Sequence, residues 1–115
     1  MAADIDEFAC EAASLNAAIN GVAVTTAVED LLAVPAPAAD IILVGDLFYE
    51  RSLAGRTFAW LAEARARGID SLIGDPGRAY LPKHRLAKLA QYDVPVTRDL
   101  EGAEIKQSAV WQLRD

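Results

Sequence analysis

The sequence predicts an α/β domain with a mostly parallel sheet covered by helices. Three observations predict it. Segments of helical and strand character alternate along the 115 residues, which is the signature of α/β layering. Asp40-Ile41-Ile42-Leu43-Val44-Gly45 is a continuous aliphatic run without polar alternation, as in a strand buried on both faces. Hydrophobic residues make up 53% and charged residues 24%, enough for a core and too apolar for a disordered chain. The length is that of one domain, spanning residues 1–115.

The elements follow in order. Asp6 suits a helix N-cap and Glu7 places negative charge in the first turn. Ile5, Phe8, Ala12, Leu15 and Ile19 recur at helical spacing and define one face. Asn20-Gly21 ends that helix, with Gly21 suited to a left-handed position. Val22 to Thr26 reads as a short strand. Val34-Pro35-Ala36-Pro37-Ala38-Ala39 is a loop, because two prolines so close cannot sit inside a helix. After the buried run comes a helix over about Ser52 to Arg67, with Leu53, Thr57, Trp60, Leu61 and Ala64 on one face and Gly68 as its stop. Asp70 to Gly74 is another short buried strand, and Asp75-Pro76-Gly77-Arg78 a turn. Pro82 suits the first turn of a third helix running to about Gln91, with Leu86, Leu89 and Ala90 inward. Val94 to Arg98 and Glu104 to Leu113 read as a closing strand pair, antiparallel if the link is short.

Charge and composition exclude several function classes. Eleven basic against 17 acidic residues give a net charge of −6, which disfavours nucleic-acid backbones as partners. A single Cys10 excludes an internal disulfide, and a single His84 leaves little for a zinc site, so no metal is expected. No apolar run reaches the roughly 20 residues of a membrane span. Asp4, Asp6 and Glu7 stand where a signal peptide carries basic residues, so a cytoplasmic location is expected.

Ligands in such sheets bind beyond the carboxyl ends of the strands. That rule selects the segment before the first helix, Asp46 to Tyr49, and Asp75 to Arg78. Asp4 is placed to accept bonds from ribose hydroxyls; the alternative is a solvated charge beside an N-cap Asp6. One acid of Glu29-Asp30 is placed to accept an adenine amine, the alternative being a solvated turn. Asp46 and Tyr49, three residues apart, can face one cavity as a carboxylate to hold an amine and a phenol to orient it. Leu47 and Phe48 would supply apolar walls. The alternative has Asp46 capping the next helix and Tyr49 on the surface. Arg78 is a candidate for binding a carboxylate or an acidic protein surface, or else pairs with Asp75. His84 reads as a solvated helix residue and Cys10 as helix packing.

The ordered set of motifs resembles a class I, seven-strand, S-adenosylmethionine-dependent methyltransferase. Ala3-Asp4-Ile5-Asp6 and the helix ending Leu15-Asn16-Ala17-Ala18-Ile19-Asn20-Gly21-Val22 resemble the second-strand segment of that fold. They are similar to the ribosomal protein L11 methyltransferase type and to seven-strand protein lysine methyltransferases. Asp46-Leu47-Phe48-Tyr49 matches the latter's Asp-x-x-Tyr motif. Gly74-Asp75-Pro76-Gly77-Arg78 followed by Tyr80-Leu81-Pro82, and the closing Ala109-Val110-Trp111, resemble the electron transfer flavoprotein β-subunit lysine methyltransferase branch.

The resemblance implies S-adenosyl-L-methionine as cofactor and a protein lysine as methyl acceptor. It assigns Asp46 and Tyr49 to catalysis and Asp4 and Asp30 to the cofactor. Phe48 and Arg78 fall to the substrate. The alternatives are a small-molecule, nicotinamide-like N-methyltransferase and a non-catalytic partial domain. That fold opens with a strand and a glycine-rich loop, Glu/Asp-x-Gly-x-Gly, and no such motif occurs in this sequence. The expectation is therefore the C-terminal part of a partial, Rossmann-like seven-strand fold. Without the first strand, Ile41 to Val44 would expose an unpaired edge and self-associate through it.

Overall fold

The computed structural model describes residues 1–95 and 105–114. Among them are six strands and two α-helices, in two compact units, Met1–Ala36 and Pro37–Asp115. The architecture is mixed α/β.

The first unit contains β1 (Ala2–Asp4), α1 (Glu7–Ile19), β2 (Thr26–Val28) and a 3-10 turn at Leu31–Ala33. β1 and β2 pair in parallel, with Ala2 opposite Thr26 and Asp4 opposite Val28. α1 begins as its sequence predicts. Asp6 is extended, and its side chain accepts the Phe8 amide N–H at 2.9 Å. At the other end Gly21, at φ +67°, donates to the Ala18 carbonyl, and Val22 donates to that of Ala17 at 3.0 Å. This paired closure needs a left-handed residue, which glycine adopts without a Cβ clash. It also corrects the expected strand over Val22 to Thr26. The Val22 N–H is used to close the helix, so pairing starts at Thr26.

A larger correction concerns the face that α1 buries. Cys10 and Ala17 are buried, whereas Ile5, Phe8, Leu15 and Ile19 are exposed. The helix carries two apolar stripes, and the one made of small residues meets the strands. Cys10 Sγ lies 3.4 Å from the Ala27 carbonyl oxygen, an approach that a large side chain would block.

The second unit contains β3 (Ile41–Gly45), α2 (Arg51–Ala66), β4 (Asp70–Asp75), a 3-10 turn at Lys83–Arg85, β5 (Leu86–Pro95) and β6 (Ile105–Leu113). Its four-stranded sheet has the order β3-β4-β6-β5. β3 and β4 are parallel, while β6 is antiparallel to both β4 and β5. Val44, Phe48, Ala54, Leu61, Ile73, Leu81, Leu86 and Leu113 form one buried cluster. α2 contributes Ala54, Thr57, Leu61 and Ala64 to its buried face, close to the stripe read from the sequence. Arg65, in its last turn, donates to the carbonyls of Leu113 and Arg114 and so ties the end of β6 to the helix.

Two expectations fail here. The third helix from Pro82 is only the short 3-10 turn, and Leu86–Pro95 is a strand. Its partner is β6, in register from Leu86 opposite Leu113 to Pro95 opposite Ile105. A bulge between Lys88 and Ala90 breaks the alternation, so the apolar spacing mimics a helix. Leu86 is buried but Leu89 is exposed. Residues 96–98 of the expected strand, and Glu104, lie outside the described residues. β3 also is not buried on both faces. Ile41 and Leu43 are exposed while Val44 is buried, because the strand ends its sheet and is covered on one side. Among the described residues, no helix is long and apolar enough to cross a membrane.

Candidate functional site

The carboxyl ends of β3 and β4 lie side by side. Gly45 stands opposite Gly74, and the Asp46 N–H donates to the Gly74 carbonyl at 3.0 Å. Asp46 therefore leaves β3 just where Asp75 ends β4. Asp46 has a φ of +49°, the single positive value at a non-glycine residue among those described. Aspartate visits this left-handed region more readily than most residues with a Cβ, and non-glycine residues held there concentrate at functional sites.

Arg78 reaches across to Asp46 with a two-pronged grip. Nε donates to Oδ1 at 2.8 Å and Nη2 to Oδ2 at 2.9 Å. The Arg78 guanidinium, chiefly through these hydrogen bonds, holds the Asp46 carboxyl below the usual aspartate range, against a smaller opposing effect of burial. Both side chains are about half exposed, at 46% and 45%. A pair this open contributes at most about 1 kcal/mol to stability.

Two alternatives read from the sequence are thereby decided. Asp46 does not cap α2: Glu50 does, accepting the amides of Ser52 at 2.8 Å and Leu53 at 3.1 Å. The Arg78 guanidinium pairs with Asp46, while Asp75 takes the Arg78 backbone N–H. Tyr49 is exposed, and Phe48 is fully buried in the core. Phe48 thus supports the segment from beneath.

Asp4 and Asp30 belong to the first unit. β1 and β2 are parallel, and the Glu29 N–H donates to the Asp4 carbonyl at 3.0 Å. Both acids therefore sit at the carboxyl end of this strand pair. Asp4 Oδ1 accepts the Asp6 N–H at 2.9 Å, and Asp30 Oδ1 accepts the Leu32 N–H at 3.0 Å. An open cleft of about 400 Å³ lies at the opposite, amino end, lined by Met1, Ser14, Ala17 and Val22 to Thr25. Neither acid lines it. Among the described residues, no cluster of His, Cys, Asp and Glu is arranged to hold a metal ion.

Asp75, read from the sequence as a turn residue and a partner for Arg78, is also a buried acceptor. It is 1% exposed, and its Oδ2 accepts the amides of Gly77 at 2.7 Å and Arg78 at 2.8 Å. An aspartate opening a Pro-Gly turn accepts from amides two residues on, and that is the role the structure gives it.

Comparison with known proteins gives a consistent result. The chain is 35% identical over 118 residues to the electron transfer flavoprotein β-subunit lysine methyltransferase of Danio rerio, covering 97% of this chain and 46% of that protein. It is 33% identical over 119 residues to the protein of that name from Rattus norvegicus, covering 98% and 47%. The Xenopus laevis protein of the same name is 35% identical over 119 residues, covering 98% and 48%. The chain thus spans about half the length of the curated relatives it matches. No family model matches, and no solved structure does. The resemblance carried by the motifs is borne out: nearly all of this chain is similar to about half of proteins named electron transfer flavoprotein β-subunit lysine methyltransferase.

Proposed function

We propose that this chain carries the amine-holding part of an S-adenosylmethionine-dependent protein lysine N-methyltransferase. The observation that supports this reading most is the Asp46 carboxylate, kept ionised by Arg78 in a left-handed conformation at the end of β3. A carboxylate has about four acceptor positions. Arg78 takes one on each oxygen, which leaves others for the N–H groups of an amine. Tyr49, exposed three residues on, is the phenol that orients it. Holding the amine in a fixed direction lowers the barrier chiefly through orientation.

S-adenosyl-L-methionine supplies an electrophilic methyl carbon on a sulfonium. Asp4 and Asp30, exposed at one end of the β1 and β2 pair, are acceptors of the right chemistry for ribose hydroxyls and an adenine amine. The fit is to the nucleoside. No glycine-rich loop in this sequence matches the methionine part. We read the two sheets as parts of a seven-strand, Rossmann-like methyltransferase fold. The names of the relatives point to the electron transfer flavoprotein β subunit as the first protein substrate to try.

The test is transfer of a labelled methyl group to that subunit, using the chain together with any coding sequence that flanks it in the genome. Label on lysine is expected. Asp46→Ala should lower turnover about ten- to a thousandfold, or about 1.4 kcal/mol per factor of ten, while cofactor binding stays intact. Label on a small heteroaromatic amine, or unchanged turnover in the variant, would overturn the assignment.

A further inference from the structure

The turn after β4 is built around a buried carboxylate that the proposed reaction does not use. Asp75 is 1% exposed. Its Oδ2 accepts the amide N–H groups of both Gly77 and Arg78, and its own carbonyl accepts the Ser108 hydroxyl of β6 at 3.3 Å. Its other oxygen, Oδ1, is buried without a hydrogen-bond partner among the described residues. Burying a half-satisfied carboxylate is unfavourable, so the two amide hydrogen bonds at Oδ2 are what hold it in the turn. Gly77, at φ +100°, lets the chain double back so that Arg78 points at Asp46. The carboxyl ends of β3 and β4 are neighbours, with the Asp46 N–H donating to the Gly74 carbonyl at 3.0 Å.

We propose that Asp75 is a positioning residue: it fixes the turn that presents Arg78, and Arg78 in turn orients and neutralises Asp46 for the acceptor amine. The proposal rests on the methyltransferase reading above for its purpose, but its mechanics concern this chain alone. Neutralisation has a chemical use. A lone carboxylate stabilises an ammonium ion, which has no free electron pair to attack with. A carboxylate already balanced by a guanidinium can still accept N–H bonds, and it favours the charged amine less. The open Asp46–Arg78 pair is poorly explained as a stabilising contact, which fits a role in the site.

The experiment is a carboxyl-carbon NMR titration of Asp46 in the 115-residue chain. In the unaltered protein Asp46 is expected to titrate below an ordinary aspartate, through its hydrogen bonds from Arg78. Arg78→Gln should raise that titration into the ordinary range. Asp75→Ala should raise it likewise while Arg78 remains present, and Asp75→Asn, which keeps an acceptor oxygen for the two amides, should restore most of the low value. Should Asp75→Ala fail to fold, Gly77→Ala decides. Nothing lies within 4 Å of the added Cβ, so that variant strains only the turn, and it too should raise the Asp46 titration. A folded Asp75→Ala or Gly77→Ala protein in which Asp46 titrates as before overturns the proposal. Methyl transfer is not measured here, so failure of this arm leaves the methyltransferase reading to its own assay. Loss of that reading would leave the titration result standing.

Discussion

The two units use their apolar residues in opposite ways. In Pro37–Asp115 the large ones are inside: Phe48, Leu61 and Ile73 are fully buried, with Leu86 at 1% exposure. In Met1–Ala36 the buried residues are the small Cys10, Ala17 and Ala36, while Phe8 is 77% and Ile19 83% exposed. The second unit has a continuous core of its own; the first has only the close seating of a helix on two three-residue strands. A segment below about 40 residues rarely buries enough surface to hold itself together. The contrast teaches that a shared α/β pattern does not imply a shared source of stability.

Truncating one large side chain in each unit should have very unequal consequences. Leu61→Ala empties a site at 0% exposure and should cost about 2–5 kcal/mol. Phe8→Ala should change stability by no more than about 0.5 kcal/mol, as surface substitutions do. Urea melts of the full chain read both. Equal losses would show that the α1 face is covered in solution.

A smaller effect is expected at β3, where Ile41 and Leu43 are exposed and the strand pairs only with β4 among the described residues. An unpaired apolar edge recruits another strand. We expect sedimentation to show concentration-dependent self-association, and Leu43→Lys to suppress it. Monomeric behaviour of the unaltered chain at high concentration would show that the edge is protected.

The smallest effect is electrostatic. Arg78 lowers the Asp46 pKa in the folded state. The stabilisation is therefore complete above the ordinary aspartate value and is lost as pH falls through the lower folded value. Because the pair is nearly half exposed, the change should be under about 1 kcal/mol. Comparing melts of the unaltered chain and Arg78→Gln across that acid range isolates it. Identical pH dependence would show that the pair is not formed in solution.

Local signals in the sequence carried over faithfully. Asp6 as a cap, Gly21 as a left-handed stop, the apolar stripe of α2 and the closing strand through Trp111 are all fixed by neighbours a few residues away. The candidate Asp46 and Arg78 were also legible, because both follow strands that end abruptly at Gly45 and Asp75. Their pairing with each other was not, since it joins residues 32 positions apart through a strand register. The same reason accounts for Leu86–Pro95. Its spacing suits a helix, yet β6 offers a full ladder of backbone hydrogen bonds that no local pattern displays. Which stripe of α1 is buried was likewise a tertiary decision, because both stripes are apolar and only the narrow one fits against β2. The sequence by itself determined where elements start and stop, through caps, turns and prolines acting over one or two helical turns. The tertiary structure decided which edges pair, which faces are covered and that Arg78 reaches Asp46. Those outcomes depend on hydrogen bonds and packing between segments far apart in the chain.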